Sequence, residues 1–542
     1  MSKYVITYDI GTTGVKTCLI EIDKEMKILS SATAGYKLYV DEETGVKGGA
    51  EQDADEWWEA MCITTKTVFE KAPNVSNEQV EGVSFCSAMQ GLVLVDKEGN
   101  CIRRPMTYMD QRAREELQKG IAHGVQIAGA EITKCLKYLY YTQAVSSSVK
   151  DPIWKYKWVE AHEPENFKKI YKWLDIKEYL ICRLTGEFVM TQDSAFGTLL
   201  YDTRKGHEGW CKPVCNMVGV NIEHLPEIKQ STEKVGEITE KAAEELGLAA
   251  GTAVYGGGGD ASLIGVGAGA VEVGDTHIYS GTSGWVGTVV PEQFVDAGAM
   301  MASIVGVNPK TYNFFGELET SNKCVGWVKD HLALDEIGVF LRKYGNAADS
   351  LEQMEFNMYD YLEEVIERAN PGSDGVVFTP WLHGNRCPFE DPNAAGMFFN
   401  IRLDTGKTEL IRAVVEGICF HMRWMLERQE EKPKVKNLKK NDTVRFCGGG
   451  ALGEATCQIL ADILQREVVV VESPQNIGAV GAAACIAVGM GLIPSIFEVK
   501  KLIPIKTTYK PNPANKKVYD RNFEVFKNLY KCNKKNFEIL NG

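Results

Sequence analysis

Residues 4–22, YVITYDIGTTGVKTCLIEI, set two apolar runs on either side of the polar turn Asp-Ile-Gly-Thr-Thr-Gly (9–14). Runs 4–8 and 15–22 read as strands, and the turn as a hairpin tip rich in Gly and Thr. Just past mid-chain the pattern returns: residues 274–290, GDTHIYSGTSGWVGTVV, form a second strand-turn-strand with Ser-Gly-Thr-Ser-Gly (280–284) at its tip. A single echo is weak by itself, but its position is the one a duplicated two-domain architecture requires. Tips of this kind offer backbone N–H groups and hydroxyls, donors that cradle phosphate without a basic surface.

Outward from the two hairpins, the chain reads as mixed α/β. Helical spacing marks 51–70, 110–121, 153–163 and 175–185, and strands return over 80–96 and 252–256. The second strand ends in Gly-Gly-Gly-Gly-Asp-Ala (256–261), and ASLIGVGAGAV follows as a tightly packed helix. The second half carries helices at 349–369 and 407–431, a strand at 443–447, a glycine turn, a helix at 453–464 and a strand at 467–472. We place the domain boundary near 265–273, giving domains 1–268 and 269–500. A tail follows over 501–542, with Tyr519, Phe523, Phe526 and Tyr530 on one helical face. This basic amphipathic segment is expected to dock as a helix on an acidic body rather than to act as a nucleic-acid arm.

Length and composition narrow the class. At 542 residues the chain exceeds one ordinary core, and 44% hydrophobic with 25% charged residues excludes disordered, collagen-like and disulfide-stapled designs. Sixty Lys+Arg against 73 Asp+Glu leave −13, which disfavours nucleic acid or anionic lipid as a partner. Fifteen scattered cysteines without a CxxC pair point to a reducing cytoplasm and to no zinc or disulfide framework. The chain opens on a strand with no leader pattern. The uncharged run 476–493, with four glycines, is expected to be a buried helix rather than a membrane span.

Two nucleotide designs compete for the glycine loops. The P-loop pattern GxxxxGK[ST] is absent, whereas Gly448-Gly-Gly-Ala-Leu-Gly453 matches GxGxxG between a strand and a helix, with Glu472 ending the next strand. Alone, that supports a dinucleotide-dependent oxidoreductase. It leaves both hairpins and GGGGDA unexplained. Two related domains closing on one nucleotide account for all four loops, with Gly449, Gly450 and Ala451 giving adenosine a bare backbone to lie on.

The ordered set DIGTTGVKT (9–17), EQD (51–53), AMQGLVLVDKEG (88–99), MDQRA (109–113), PIWKYKWV (152–159), LTGE (184–187), GGGGDA (256–261), SGTSG (280–284), GNRCPFEDPNAAG (384–396), RAVVEGICF (412–420) and GGGALGEATCQILAD (448–462) resembles the FGGY carbohydrate kinases over nearly the whole chain. Within that family the xylulokinase branch is the most similar. The resemblance implies a ribonuclease-H-like fold of the actin/Hsp70 type, duplicated into two domains that close on a central cleft, with sugar on the N-terminal side and ATP with Mg²⁺ mainly on the C-terminal side. The activity implied is phosphorylation of a sugar hydroxyl, with D-xylulose the expected acceptor. Ribulose, gluconate, erythritol and glycerol are the alternatives. A homodimer is a family expectation only, and a non-catalytic actin-like nucleotide sensor is a further rival.

Asp260 is the expected general base, because a carboxylate at the end of a glycine-rich strand can take a hydroxyl proton as the γ-phosphoryl arrives. A helix N-cap is the structural alternative. Asp9 is implied as a Mg²⁺ ligand through water, against an Asx-turn role, and Asp260 as a second metal contact. Gly11, Thr12, Thr13, Lys16, Gly281 and Thr282 are phosphate-loop candidates. Met89, Gln90 and Asp110 are implied sugar contacts, while Glu51 and Gln52 belong either to the cleft or to solvated surface. Departures from the family pattern are Gln90 for His, Ala261 for Asn, Ala395 for Arg and Gly453 for Ser.

Overall fold

The computed structural model describes residues 2–127, 129–334, 359, 361–439 and 441–542. In the first half, strands Lys3–Ile10, Gly14–Ile22 and Met26–Gly35 form an antiparallel meander. Val5, Ile6, Tyr8 and Ile10 are all buried, so the first strand has core on both faces, as a central strand must. Val80–Ser87 lies parallel to it, Ala253–Tyr255 is parallel to that strand, and Lys234–Glu237 closes the edge antiparallel.

The second half repeats this order. Tyr312–Leu318, Gly284–Val290 and Thr276–Ser280 form the meander; Thr443–Cys447 and Glu467–Val471 follow in parallel; Ile505–Tyr509 is the antiparallel edge. The hairpin echo is thus the visible part of a full structural duplication. The expected helix at 349–369 lies outside the described residues up to 358, and residues 361–368 are helical.

Two small-residue helices join the halves. Asp260–Gly267 and Ile477–Gly489 lie close enough that a methyl group on Gly481 would collide with the backbone carbonyl of Leu263. Every residue from Ile477 to Ala487 is buried. Ala479, Ala482, Ala483 and Ile486 share one apolar cluster with Val5, Cys18, Ile20 and Cys86 of the first sheet. The uncharged run is therefore a covered helix, and among the described residues no helix is long and apolar enough to cross a membrane.

The C-terminal helix Lys516–Asn541 docks through the expected face: Tyr519, Phe523 and Phe526 are buried, and Tyr530 stacks on Phe389 with ring centroids 3.5 Å apart. Tyr519 OH also donates to Glu416 at 3.0 Å, and Glu416 pairs with Arg412 at 2.8 Å. All 15 cysteines are free thiols, and only Cys532 is exposed.

Candidate active site

Strand register brings the two proposed acids together. Asp9 stands opposite Cys86 on the parallel strand Val80–Ser87, and Gly258 pairs with the same Cys86 from the other side. Asp260 continues two residues beyond Gly258, so the aspartates leave the carboxyl ends of the two strands that flank Val80–Ser87, where open α/β sheets bind ligands. Gly257 sits at φ +64°, with its α-carbon against the carbonyl of Phe85 where a side chain would collide. The four glycines thus let this segment press onto the strand and release Asp260 at its end.

Helix Asp260–Gly267 is capped by Gly259, not by Asp260, which occupies its first turn. The Asp260 carboxylate accepts the Ala261 N–H at 2.7 Å. Burial, and next the charges of Asp9 and Glu317, push the Asp260 carboxyl up to about 7, while the Ala261 bond opposes them. Burial also raises Asp9, against the opposing charge of Lys16 and a hydrogen bond from the Cys86 thiol.

The first hairpin tip is closed by Gly11 N–H donating to Gly14 O at 3.0 Å. Thr12 bonds Tyr108 OH at 3.2 Å and its carbonyl accepts Gln52 Nε2 at 2.6 Å, whereas Thr13 is exposed. Lys16 Nζ donates across the halves to the carbonyl of Gln475 at 2.7 Å. At the second tip Thr282 is exposed and Asn322 N–H holds the Gly281 carbonyl at 2.8 Å. The turn containing Gly449, Gly450 and Ala451 packs directly beside this tip: a Cβ on Gly450 would stand 2.6 Å from Ser280 Oγ. The two glycine elements of the second half therefore lie side by side.

On the sugar side, Met89 lies against Gly259, and Gln90 takes φ +64°. Asp110 is fully buried, accepting Ala50 N–H at 2.7 Å and pairing with Arg112 at 2.8 Å. Glu51 and Gln52 are not solvated surface. Glu51 is buried between Arg103 at 2.5 Å and Arg112 at 2.7 Å, and Gln52 is buried on Thr12.

Several residues escaped sequence reasoning. Asp193 braces the glycine segment, accepting Gly259 N–H at 2.8 Å. Glu317, on the second sheet, pairs with Arg386 at 2.7 Å and faces Asp260. Arg386 stands inside the quoted GNRCPFEDPNAAG stretch, a signal that marked the loop but not the residue. Lys155 is wholly buried and donates to the carbonyls of Gln90 at 2.9 Å and Thr107 at 2.7 Å. Burial pushes it down to about 8 against the pull of Asp110, Asp175 and Asp151.

Mg²⁺ fits this donor set: it takes carboxylate oxygens sparingly and completes its shell with water and phosphate. Among the described residues no three His, Cys, Asp or Glu side chains converge as a cage. Asp9 and Asp260 would be the carboxylates to hold it.

Two ribonuclease-H-like halves, each with a glycine tip, and two aspartates at strand ends define a phosphotransferase of the sugar-kinase type. The comparisons agree. Residues 4–267 match the model of the FGGY family of carbohydrate kinases, N-terminal domain, and residues 277–490 match its C-terminal domain. The chain belongs to the FGGY family of carbohydrate kinases. It is 28% identical to the xylulose kinase of Bacillus subtilis over 531 residues, covering 97% of each chain. It is 26% identical to the gluconokinase of the same organism over 534 residues, covering 98% of this chain and 96% of the relative. Its fold superposes on ligand-bound xylulose kinase from Lactobacillus acidophilus with a TM-score of 0.81, at 24% identity, covering 99% of this chain and 100% of the other. The Gly448–Gly453 turn accordingly belongs to a kinase half, not to a dinucleotide unit.

Proposed function

We propose that the chain transfers the γ-phosphoryl group of ATP to a hydroxyl of D-xylulose, giving D-xylulose 5-phosphate and ADP. The observation that carries this reading is Asp260, a carboxylate released at a strand end and poised near neutrality beside Asp9. Asp260 accepts the hydroxyl proton, the sugar oxygen bonds to the γ-phosphorus, and the bond to the β-phosphate oxygen breaks with ADP leaving. Thr12, Thr13 and Thr282 offer backbone N–H and hydroxyl groups to the phosphates, while Gly11 and Gly281 close the two turns that present them. Gly449, Gly450 and Ala451 face the adenosine. Lys16, tied to Gln475, ties the first tip to the second half and offsets charge at Asp9. Mg²⁺, when bound, would be held by Asp9 and Asp260 and would supply charge neutralisation for the phosphates.

The similarity to a xylulose kinase and to a gluconokinase is nearly equal, and electrostatics favours a neutral acceptor. Arg386 is paired with Glu317, Arg112 with Asp110 and Glu51, Arg103 with Glu51 and Glu163, and Lys155 with two carbonyls. A sugar acid would bring a carboxylate into a negative field whose nearby cations already hold acceptors. Ketoses and polyols bring none. The test is ADP release over a panel of D-xylulose, ribulose, erythritol, glycerol and gluconate. The highest kcat/KM is expected with D-xylulose; preference for gluconate overturns the acceptor, and no stimulation by any member overturns the kinase reading.

A further inference from the structure

Gln90 holds a backbone conformation that side-chain-bearing residues seldom adopt, φ +64°, and two side chains fasten it there. Asp175 takes Gln90 N–H on Oδ2 and Gly91 N–H on Oδ1, each at 2.9 Å. The same carboxylate accepts Ile176 N–H at 2.8 Å as the N-cap of helix Ile176–Thr185. Lys155 takes the Gln90 carbonyl and links it to that of Thr107, next to Tyr108, which touches the phosphate tip at Thr12. Gly91 is required at the next position, since a Cβ there would stand 2.6 Å from Asp175 Oδ1. Gln90 Nε2 points to Gly197 O at 3.3 Å, a weak bond that a sugar hydroxyl can replace.

An acid and a base, both buried and neither facing a phosphate candidate directly, thus meet on the main chain of Gln90, one at its N–H and the other at its carbonyl. We infer that Asp175 and Lys155 are positioning residues that fix Gln90 as a selector of the acceptor hydroxyls. This rests on the proposed sugar kinase activity. An amide held in one orientation donates and accepts at fixed points, which discriminates hydroxyl patterns better than a mobile one.

The test uses the full chain. Asp175→Asn can keep its oxygen at Oδ1 on the Ile176 and Gly91 N–H groups, so the helix cap is retained, but its NH2 then replaces Oδ2 and meets the Gln90 N–H as donor against donor. Hydrogen exchange over residues 88–92 is expected to accelerate at least about tenfold while 176–185 stays protected. Unchanged exchange at 88–92 overturns the clamp, whatever the acceptor. In kinetics, KM for the sugar is expected to rise about tenfold, with KM for ATP within about twofold. Gln90→Gly, which accepts φ +64° without strain, should raise sugar KM similarly, and adding Asp175→Asn to it should cost little more. Fully additive effects, or equal shifts in both KM values, sink the inference. If no sugar stimulates the wild-type chain, the kinase reading falls and the exchange result alone decides the clamp.

Discussion

Gly478 lies on Asp9: a methyl group at position 478 would stand 2.9 Å from Asp9 Oδ2 and 2.7 Å from Cys86 Sγ. Gly478 opens a helix of the second half, and Asp9 ends the first strand of the first half. Gly478→Ala must therefore push the Asp9 carboxylate or the helix aside. With a displacement near 1 Å, kcat should fall roughly a hundredfold and the Mg²⁺ requirement should rise. Titration of turnover against Mg²⁺ checks this, and wild-type kinetics would contradict the placement of Asp9.

Asp260 must be ionised to take a proton, and its carboxyl sits near 7. The kcat/KM for sugar should climb with pH up to about 7 and level off above it. Asp260→Asn should lower kcat by about 10² to 10⁴ and erase that limb. A retained limb in the variant would move the base elsewhere.

The same elevation has a cost in stability with a definite sign. The folded-state carboxyl is raised above the ordinary 3.8, so the fold disfavours the charged form. The contribution of this group is fully present below 3.8 and is lost as pH rises towards 7. Asp260→Asn should therefore melt about 2–4 °C higher than wild type at pH 8 and show little difference at pH 4. Thermal melts at the two pH values decide it.

Glu317→Gln should release Arg386 from its ion pair and remove one of the charges that raise Asp260. Inhibition by gluconate should then tighten by about tenfold, while D-xylulose turnover keeps its place at the head of the panel. Gluconate inhibition that does not change would remove the electrostatic basis for a neutral acceptor.

Phe526 of the C-terminal helix is buried, with ring centroids 5.7 Å from Trp381 and 5.8 Å from Phe420. Phe526→Ala should cost about 3–5 kcal/mol by cavity formation. Denaturant unfolding gives the number, and a loss under 1 kcal/mol would make the helix an accessory rather than core.

Asp9 and Asp260 owe their proposed roles to the family resemblance, since the residues alone left an Asx turn and a helix N-cap open, whereas the hairpin tips and the glycine segment were legible because each is local chemistry: a turn demands its own residues, and a strand end shows as a change from apolar to polar. Glu416 and Tyr519, Asp193 and Gly259, and Asp175 and Gln90 were not. These pairs lie 103, 66 and 85 residues apart, and nothing in the spacing of one partner announces the other. Glu51 and Gln52 show the same limit: their charge and polarity suggest solvent, and only the arrival of Arg103, Arg112 and the Thr12 carbonyl accounts for their burial. The run 476–493 was readable as a covered helix, but the sheet that covers it was not.

That sheet belongs to the first half, and its cover comes from the second. A ribosome therefore releases strands Lys3–Ile10 and Val80–Ser87 hundreds of residues before Ile477–Gly489 exists to shield them. The amino-terminal portion must wait, incompletely clothed, for nearly the entire polypeptide. Contacts of such sequence separation fold slowly and leave sticky intermediates. Expression of residues 1–268 alone should yield aggregates, and recovery of soluble material should follow co-expression with the remainder of the chain.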